Sequence, residues 1–212
     1  MSSSKWFAQR PASNMVLGIV LLGVFVGLAG SYQRLAAFDQ SVYNYLYGLA
    51  SPWLTILMQC ITHLGSAPVT IGIAIAFFLY AVYRCPRKQL EATILAFCLA
   101  GAWLLNEGLK ALFRRARPEL VHLVQVRGYS FPSGHAMISF AFYGLISYLL
   151  WQRGRRRVLA VGCLLLSIFI GVSRIYLGVH FSSDVLAGFA AGGIWLNGCL
   201  AILQRITYRR KP

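Results

Sequence analysis

The chain has 212 residues, 58% of them hydrophobic, and a mean hydropathy of +0.64. That composition excludes an ordinary soluble domain and a disordered chain, and leaves a membrane protein as the class. Twenty Lys and Arg against five acids give a net charge of +15, but the basic residues lie in short clusters between apolar runs; this disfavours nucleic-acid binding and favours anionic lipid and a phosphate-bearing substrate.

Six apolar runs mark the chain, at residues 15–31, 67–83, 92–109, 136–151, 158–172 and 185–203. Several fall short of the ~20 residues that cross a bilayer core, but polar flanks can complete them as helix. Helix is the only open-ended element that satisfies its own backbone in lipid. The expected fold is therefore all-α: a polytopic integral membrane bundle of six transmembrane helices, forming a single domain over residues 1–212. The first run follows a basic segment, yet it has no small-residue cleavage site and five more runs follow, so it is read as retained. Between the first two runs, residues of about 35–66 are rich in Tyr and Trp, with apolar positions at mixed spacings of three and four. This pattern predicts an amphipathic segment at the outer interface. Such a segment can cover the bundle, admit a lipid sideways or simply anchor the chain.

Lys and Arg in alternate connections are unequal. Thirteen lie on one side, among them Lys5, Arg10, Arg155, Arg209, Arg210 and Lys211, and seven on the other: Arg34, Lys110, Arg114, Arg115, Arg117, Arg127 and Arg174. The positive-inside rule places both termini in the cytoplasm and the seven outside. The five cysteines are scattered, odd in number and mostly inside apolar runs, with no metal-ligand spacing, and read as packing residues. Gly23/Gly27 and Gly188/Gly192 are small-xxx-small pairs that read as packing helices within the bundle or between subunits, with packing within one bundle the preferred reading.

Three polar clusters fall at the outer ends of these runs. Lys110 is followed by Arg117-Pro118; Pro132-Ser133-Gly134-His135 opens the fourth run; Ser173-Arg174 precedes His180 and Asp184. Lys110, Arg117 and Arg174 can surround a tetrahedral anion. Ser133 and Gly134 precede a helix start, where free amides and the dipole favour negative charge. Taken alone, "PSGH" reads equally well as a turn and cap. His180 and Asp184 stand four apart, so the carboxylate can orient the imidazole and an imidazole nitrogen can attack phosphorus. His135 is then the second imidazole, a proton donor and acceptor. Metal catalysis needs clustered acids or histidines, and no two acids pair as ligands, so no metal or other cofactor is expected. Glu107, one turn before Lys110, is positioned to pair with it. Arg114 and Arg115 read as solvated or lipid-paired, with steering of an anionic headgroup as the other reading. His63 and His122 read as interfacial anchors.

The set "KALFRRARP" (110–118), "PSGH" (132–135) and "SRIYLGVHFSSD" (173–184) resembles the three-part signature of the type-2 phosphatidic acid phosphatase superfamily, with no position departing from it. The resemblance implies His180 as nucleophile, Asp184 as its orienting partner and His135 as general acid/base. It implies Lys110, Arg117, Ser133, Gly134 and Arg174 as phosphate binders. "ITHLGS" (61–66) and "YSFPSGHAM" (129–137) are similar to the bacterial phosphatidylglycerophosphate phosphatase and undecaprenyl-diphosphate phosphatase branch. The implied activity is metal-independent hydrolysis of a lipid phosphomonoester or diphosphate outside the cytoplasm. The implied candidate substrates are phosphatidylglycerophosphate, undecaprenyl diphosphate and phosphatidic acid. Implied partners are that phosphorylated lipid and the bilayer, with no nucleic acid and no obligate protein partner. Two alternatives remain: a lipid or ion transporter or flippase without hydrolysis, and a catalytically dead lipid-binding protein, which would need a broken motif.

Overall fold

The computed structural model describes residues 11–209 apart from 121 and 155, and every regular element among them is helical. Lys5, Arg10, Arg155, Arg210 and Lys211 of the charge count lie outside the described residues, as does the side chain of Arg209. In chain order the helices are α1 (Pro11–Ser31), α2 (Ala36–Gly48), α3 (Pro52–Leu64), α4 (Ala67–Tyr83), α5 (Gln89–Phe113), α6 (Gly134–Trp151), α7 (Arg157–Tyr176) and α8 (Ser182–Arg209). A 3-10 turn, Pro86–Lys88, leads into α5.

Five helices are long and apolar enough to cross a membrane: α1, α5, α6, α7 and α8. The run 67–83 is expected as a span in its own right, but α4 has only 17 residues. It reaches spanning length together with α3, across a bend of 46° at Gly65-Ser66. The amphipathic segment of about 35–66 divides into α2 and α3 at residues 49–51. The sequence explains the division: Pro52 occupies the first turn of α3, where its missing N–H costs nothing. Ser51 caps that helix, its Oγ accepting from the Leu54 amide at 3.4 Å. α2 packs on α7 and α8, and α3 packs on α7.

α6 is the central helix, lying against α5, α7 and α8. The core joins Leu95, Cys98 and Ala102 of α5 to Ala141, Phe142 and Leu145 of α6, Ile170 of α7 and Cys199 of α8. The outward faces of α1, α4 and α7 expose large aliphatic and aromatic side chains, such as Val16, Ile75 and Phe169. In lipid these are solvated by hydrocarbon. Cys98 and Cys199 are packing residues, as expected.

The small-residue pairs part company. A Cβ on Gly188 would lie 2.7 Å from the Ser133 carbonyl oxygen, and one on Gly192 would collide with that of Met137. These two glycines let α8 approach the backbone of α6 closely. Gly23 and Gly27 have nothing near them, so the expectation that this pair packs within the bundle is wrong. α1 meets α8 through Gly18 instead, where Asn197 Nδ2 donates to the Asn14 carbonyl at 2.6 Å. Periodicity alone does not tell which face of an apolar helix finds a protein neighbour and which finds lipid.

Candidate active site

The end of α5, the start of α6, the end of α7 and the start of α8 meet, and this alternation of the four helices gathers the three clusters at one end of the bundle. Lys110 sits in the last turn of α5, and Ser133 and Gly134 form the N-cap and first residue of α6. Arg174 sits in the last turn of α7 and Asp184 in the first turn of α8. Arg117 belongs to the connection 114–133, and His180 to the turn between α7 and α8. The helices extend beyond the apolar runs, so Lys110, Ser173 and Arg174 are helical residues. α8 starts at Ser182, after His180. The His-Asp pair therefore forms across a helix start. The start of α6 is tied to that of α8 by the Ser133 amide, which donates to the Asp184 carbonyl at 3.0 Å.

His180 and Asp184 are both buried, with Nδ1 and Oδ2 3.6 Å apart. That separation is too long for a direct hydrogen bond. Ser130 spans it: its Oγ lies 3.3 Å from His180 Nδ1 and donates to Asp184 Oδ2. Ser130 has one hydroxyl proton, given to the carboxylate, so the hydroxyl oxygen accepts from Nδ1–H. The network thus assigns the proton to Nδ1 and leaves the lone pair on Nε2. Arg117 Nη1 approaches Nε2 at 3.2 Å, as a donor to that lone pair. Burial pushes the His180 imidazole down to about 4; Asp184 opposes the push, and the charges of Arg174 and Arg117 add to it. Burial likewise lowers the Arg117 guanidinium, against the pull of Asp184.

The remaining cations form a cradle. Arg174 Nη1 donates to Thr62 Oγ1 at 2.8 Å, while Arg174 Nε and Ser133 Oγ are buried without a hydrogen-bond partner. Lys110 Nζ lies 3.6 Å from Glu107 Oε1, the pairing its spacing predicts. A Cβ on Gly134 would stand 2.8 Å from Asn106 Oδ1 and 3.6 Å from Lys110 Nζ, so only glycine lets these groups reach the start of α6. His135 borders Gly65, and it lies within electrostatic reach of Arg174, His180, Lys110 and Arg117. Buried donors without acceptors beside a helix N-terminus are suited to a tetrahedral oxyanion. Among the described residues, no three His, Cys, Asp or Glu side chains group as a metal site.

Arg115 departs from expectation. It is neither solvated nor lipid-paired but nearly buried, in ion pairs with Asp184 at 2.6 Å and Asp39 at 3.1 Å. Arg114 is different: it adopts a left-handed φ of 47° beyond the end of α5, and its Nε donates to the Ala111 carbonyl at 3.0 Å. Ser130, Asn106 and Asp39 are likewise absent from the sequence-derived site. Ser130 lies within "YSFPSGHAM", two residues ahead of the motif proper, and was within reach. Asp39 is 145 positions from Asp184 in sequence, and nothing local marks it. Of the histidines read as anchors, His63 is exposed on α3, and His122 Nε2 lies 2.9 Å from the Pro118 carbonyl.

A family model described as the PAP2 superfamily matches residues 91–208. The chain belongs to the PAP2 superfamily. It is 32% identical over 163 residues to phosphatidylglycerophosphatase B of Bacillus subtilis, covering 73% of this chain and 77% of that protein. It is 32% identical over 163 residues to a putative undecaprenyl-diphosphatase of Escherichia coli, covering 72% and 73%. The crystal structure of the transmembrane PAP2-type phosphatidylglycerolphosphate phosphatase from Bacillus subtilis superposes with a TM-score of 0.77 at 28% identity, over 92% of this chain and 97% of that one.

The surroundings of His180 set its titration. An NMR pH titration, with the His180 signal assigned by its loss in His180→Gln, should show a midpoint of about 4 rather than ~6.5. A midpoint at or above 6.5 would contradict the neutral, buried imidazole described.

Proposed function

We propose that this chain is an integral membrane lipid phosphatase that transfers the phosphoryl group of a lipid headgroup to His180 and then to water. It is a hydrolase of the class for which its relatives are named. The observation that carries a lipid substrate is a cavity of about 880 Å³ between α4, α5 and α6. Its wall is apolar from Leu79 and Ala96 upward through Ala74, Leu99 and Ala100, and it ends at Lys110, Gly134 and His135. At 1.5 Å per helical residue this groove is about 20 Å long. A hydrocarbon chain lying in it would present its headgroup to the cradle.

The chemistry follows from the proton positions. With Nδ1–H held by Ser130 and Asp184, the Nε2 lone pair attacks phosphorus once Arg117 turns its donor to a phosphate oxygen. The bond from phosphorus to the leaving oxygen breaks, and His135 donates a proton to that oxygen. A phosphomonoester then leaves as the lipid alcohol, and a diphosphate as the lipid monophosphate. In the second step His135 accepts a proton from water, the water oxygen attacks phosphorus, and the P–N bond breaks to release inorganic phosphate. Lys110, Arg117, Arg174, the Ser133 hydroxyl and the amide at Gly134 offset the charge gathering on the equatorial oxygens. Asp39 and Asp184 are both paired with Arg115, which supports a metal-independent reaction.

Two observations support an outward-facing site. In the sequence the excess of Lys and Arg falls in the connections alternate to those carrying the three clusters, which supports an extracytoplasmic site. Five spans alone would separate the two ends of the chain; α3 and α4, counted as one bent crossing, would make six, which supports both ends on the cytoplasmic side. Phosphatidylglycerophosphate, undecaprenyl diphosphate and phosphatidic acid are the substrates of first choice. Glu107, the acid that would mark a transport path, pairs with Lys110 at the site.

His180→Ala should reduce phosphate release from these lipids in detergent by about a thousandfold or more, while wild-type activity persists in EDTA. Wild-type turnover in His180→Ala would remove the proposal. Ala100→Trp, which fills the groove, should raise KM for a long-chain lipid phosphate about tenfold or more, at the 1–3 kcal/mol of an overpacked apolar site, and leave a short-chain phosphate ester unaffected. Equal KM values for the long-chain substrate in variant and wild type would place the hydrocarbon elsewhere.

A further inference from the structure

The guanidinium of Arg115 is held by three side chains. Nη1 lies 2.6 Å from Asp184 Oδ1 and 2.8 Å from Ser183 Oγ, and Nη2 lies 3.1 Å from Asp39 Oδ2. Its Cζ stands 4.0 Å from the Phe181 ring centroid and 4.6 Å from that of Tyr32, so the fork is held between two aromatic rings. Asp39, in the first turn of α2, is buried and also accepts from the Ser183 amide and hydroxyl, both at 2.7 Å. Arg115 does not line the groove, and its donors point away from the cradle into these carboxylates.

We propose that Arg115 and Asp39 are positioning residues for the reaction, and that through them α2 forms part of the working site. This rests on the roles proposed above for His180 and Asp184. Asp184 has two oxygens with separate duties. Oδ2 receives Ser130 and the Phe181 amide and faces His180. Oδ1 is taken by Arg115, so the carboxylate cannot rotate to offer Oδ1 to the histidine side without losing an ion pair. Asp39 does for Arg115 what Arg115 does for Asp184: it holds the second arm of the fork. Two buried carboxylates this close require a cation between them. A planar fork meets both where a lysine's single ammonium reaches one. Asp39 also pins Ser183, next to Asp184, from the backbone side. The catalytic carboxylate is thereby fixed from a helix that carries no signature residue.

The test uses the full chain purified in detergent, a lipid phosphate as substrate, and inorganic phosphate as competitive inhibitor. Arg115→Met should lower kcat by about ten- to a hundredfold, the range for outer partners of a reacting group. KM and the inhibition constant of inorganic phosphate should stay within about threefold, since the cradle is untouched. Arg115→Lys should recover part of the lost kcat, and Asp39→Asn should lower kcat less than Arg115→Met. A kcat within about threefold of wild type in folded Arg115→Met would overturn the proposal. So would a phosphate inhibition constant that weakens in step with kcat, because Arg115 would then be a phosphate binder. If Arg115→Met does not yield folded protein, Arg115→Lys and Asp39→Asn decide: lowered kcat at constant phosphate inhibition supports the proposal, and unchanged kcat in both overturns it. His180→Ala, measured alongside, keeps the failures apart. Full turnover there removes the reading of the site, whereas an inactive His180→Ala with a normal Arg115→Met removes only the positioning role.

Discussion

The Asp184 carboxylate is fully buried and accepts from Arg115, from Ser130 and from the Phe181 amide. Each donor comes from a different part of the chain end: the exit of α5, the approach to α6 and the entry of α8. A buried carboxylate left without such partners would be expensive, and removing any one of them exposes that penalty. The interaction therefore fixes more than a side chain. It holds the connection 114–133 against the start of α8, while Arg117 and Ser133 keep anchors of their own at the Gly128 and Val179 carbonyls and at the Asp184 backbone carbonyl. The His180 imidazole is the last link, oriented by Ser130 at Nδ1 so that Nε2 faces the cations.

Beside this satisfied carboxylate lies a cluster whose charges oppose one another. Arg174, Lys110 and Arg117 are gathered around two imidazoles, and of the acids only Glu107 pairs with any of them directly at the cradle. Arg174 Nε and Ser133 Oγ remain without acceptors in the apolar interior. Such an arrangement lowers the stability of the fold, and proteins retain it where a ligand completes it. A phosphate offers the missing acceptors and negative charge together. The same cations, with burial, keep His180 neutral and therefore nucleophilic near neutral pH.

Most of the fold's grammar was legible in the chain. Apolar runs bounded by basic clusters located α1, α5, α6, α7 and α8 to within a few residues, because the bilayer forces each run to satisfy its own backbone. The α3–α4 pair was harder. A 17-residue helix and a 13-residue amphipathic one look like separate objects in sequence, and the bend joining them is a tertiary feature. The three clusters were readable as a group because each falls at an end of an apolar run, and the structure brings those ends together. Arg115 was not, since an arginine between Lys110 and Arg117 carries the same local signal whether it meets lipid or a buried carboxylate. Asp39 was hidden for the same reason: only tertiary packing brings it to Ser183 of α8 and to Arg115.

The central claim is that Nε2 of His180 forms a bond to phosphorus during turnover. The most direct measurement is rapid alkaline quenching of the wild-type chain during hydrolysis of a lipid phosphate, followed by mass spectrometry of the peptide containing His180. A phosphoryl adduct on His180 that forms and decays within the turnover time is the predicted result. Steady phosphate release with no adduct on that histidine at any quench time, and with the adduct found on another residue, would contradict the account.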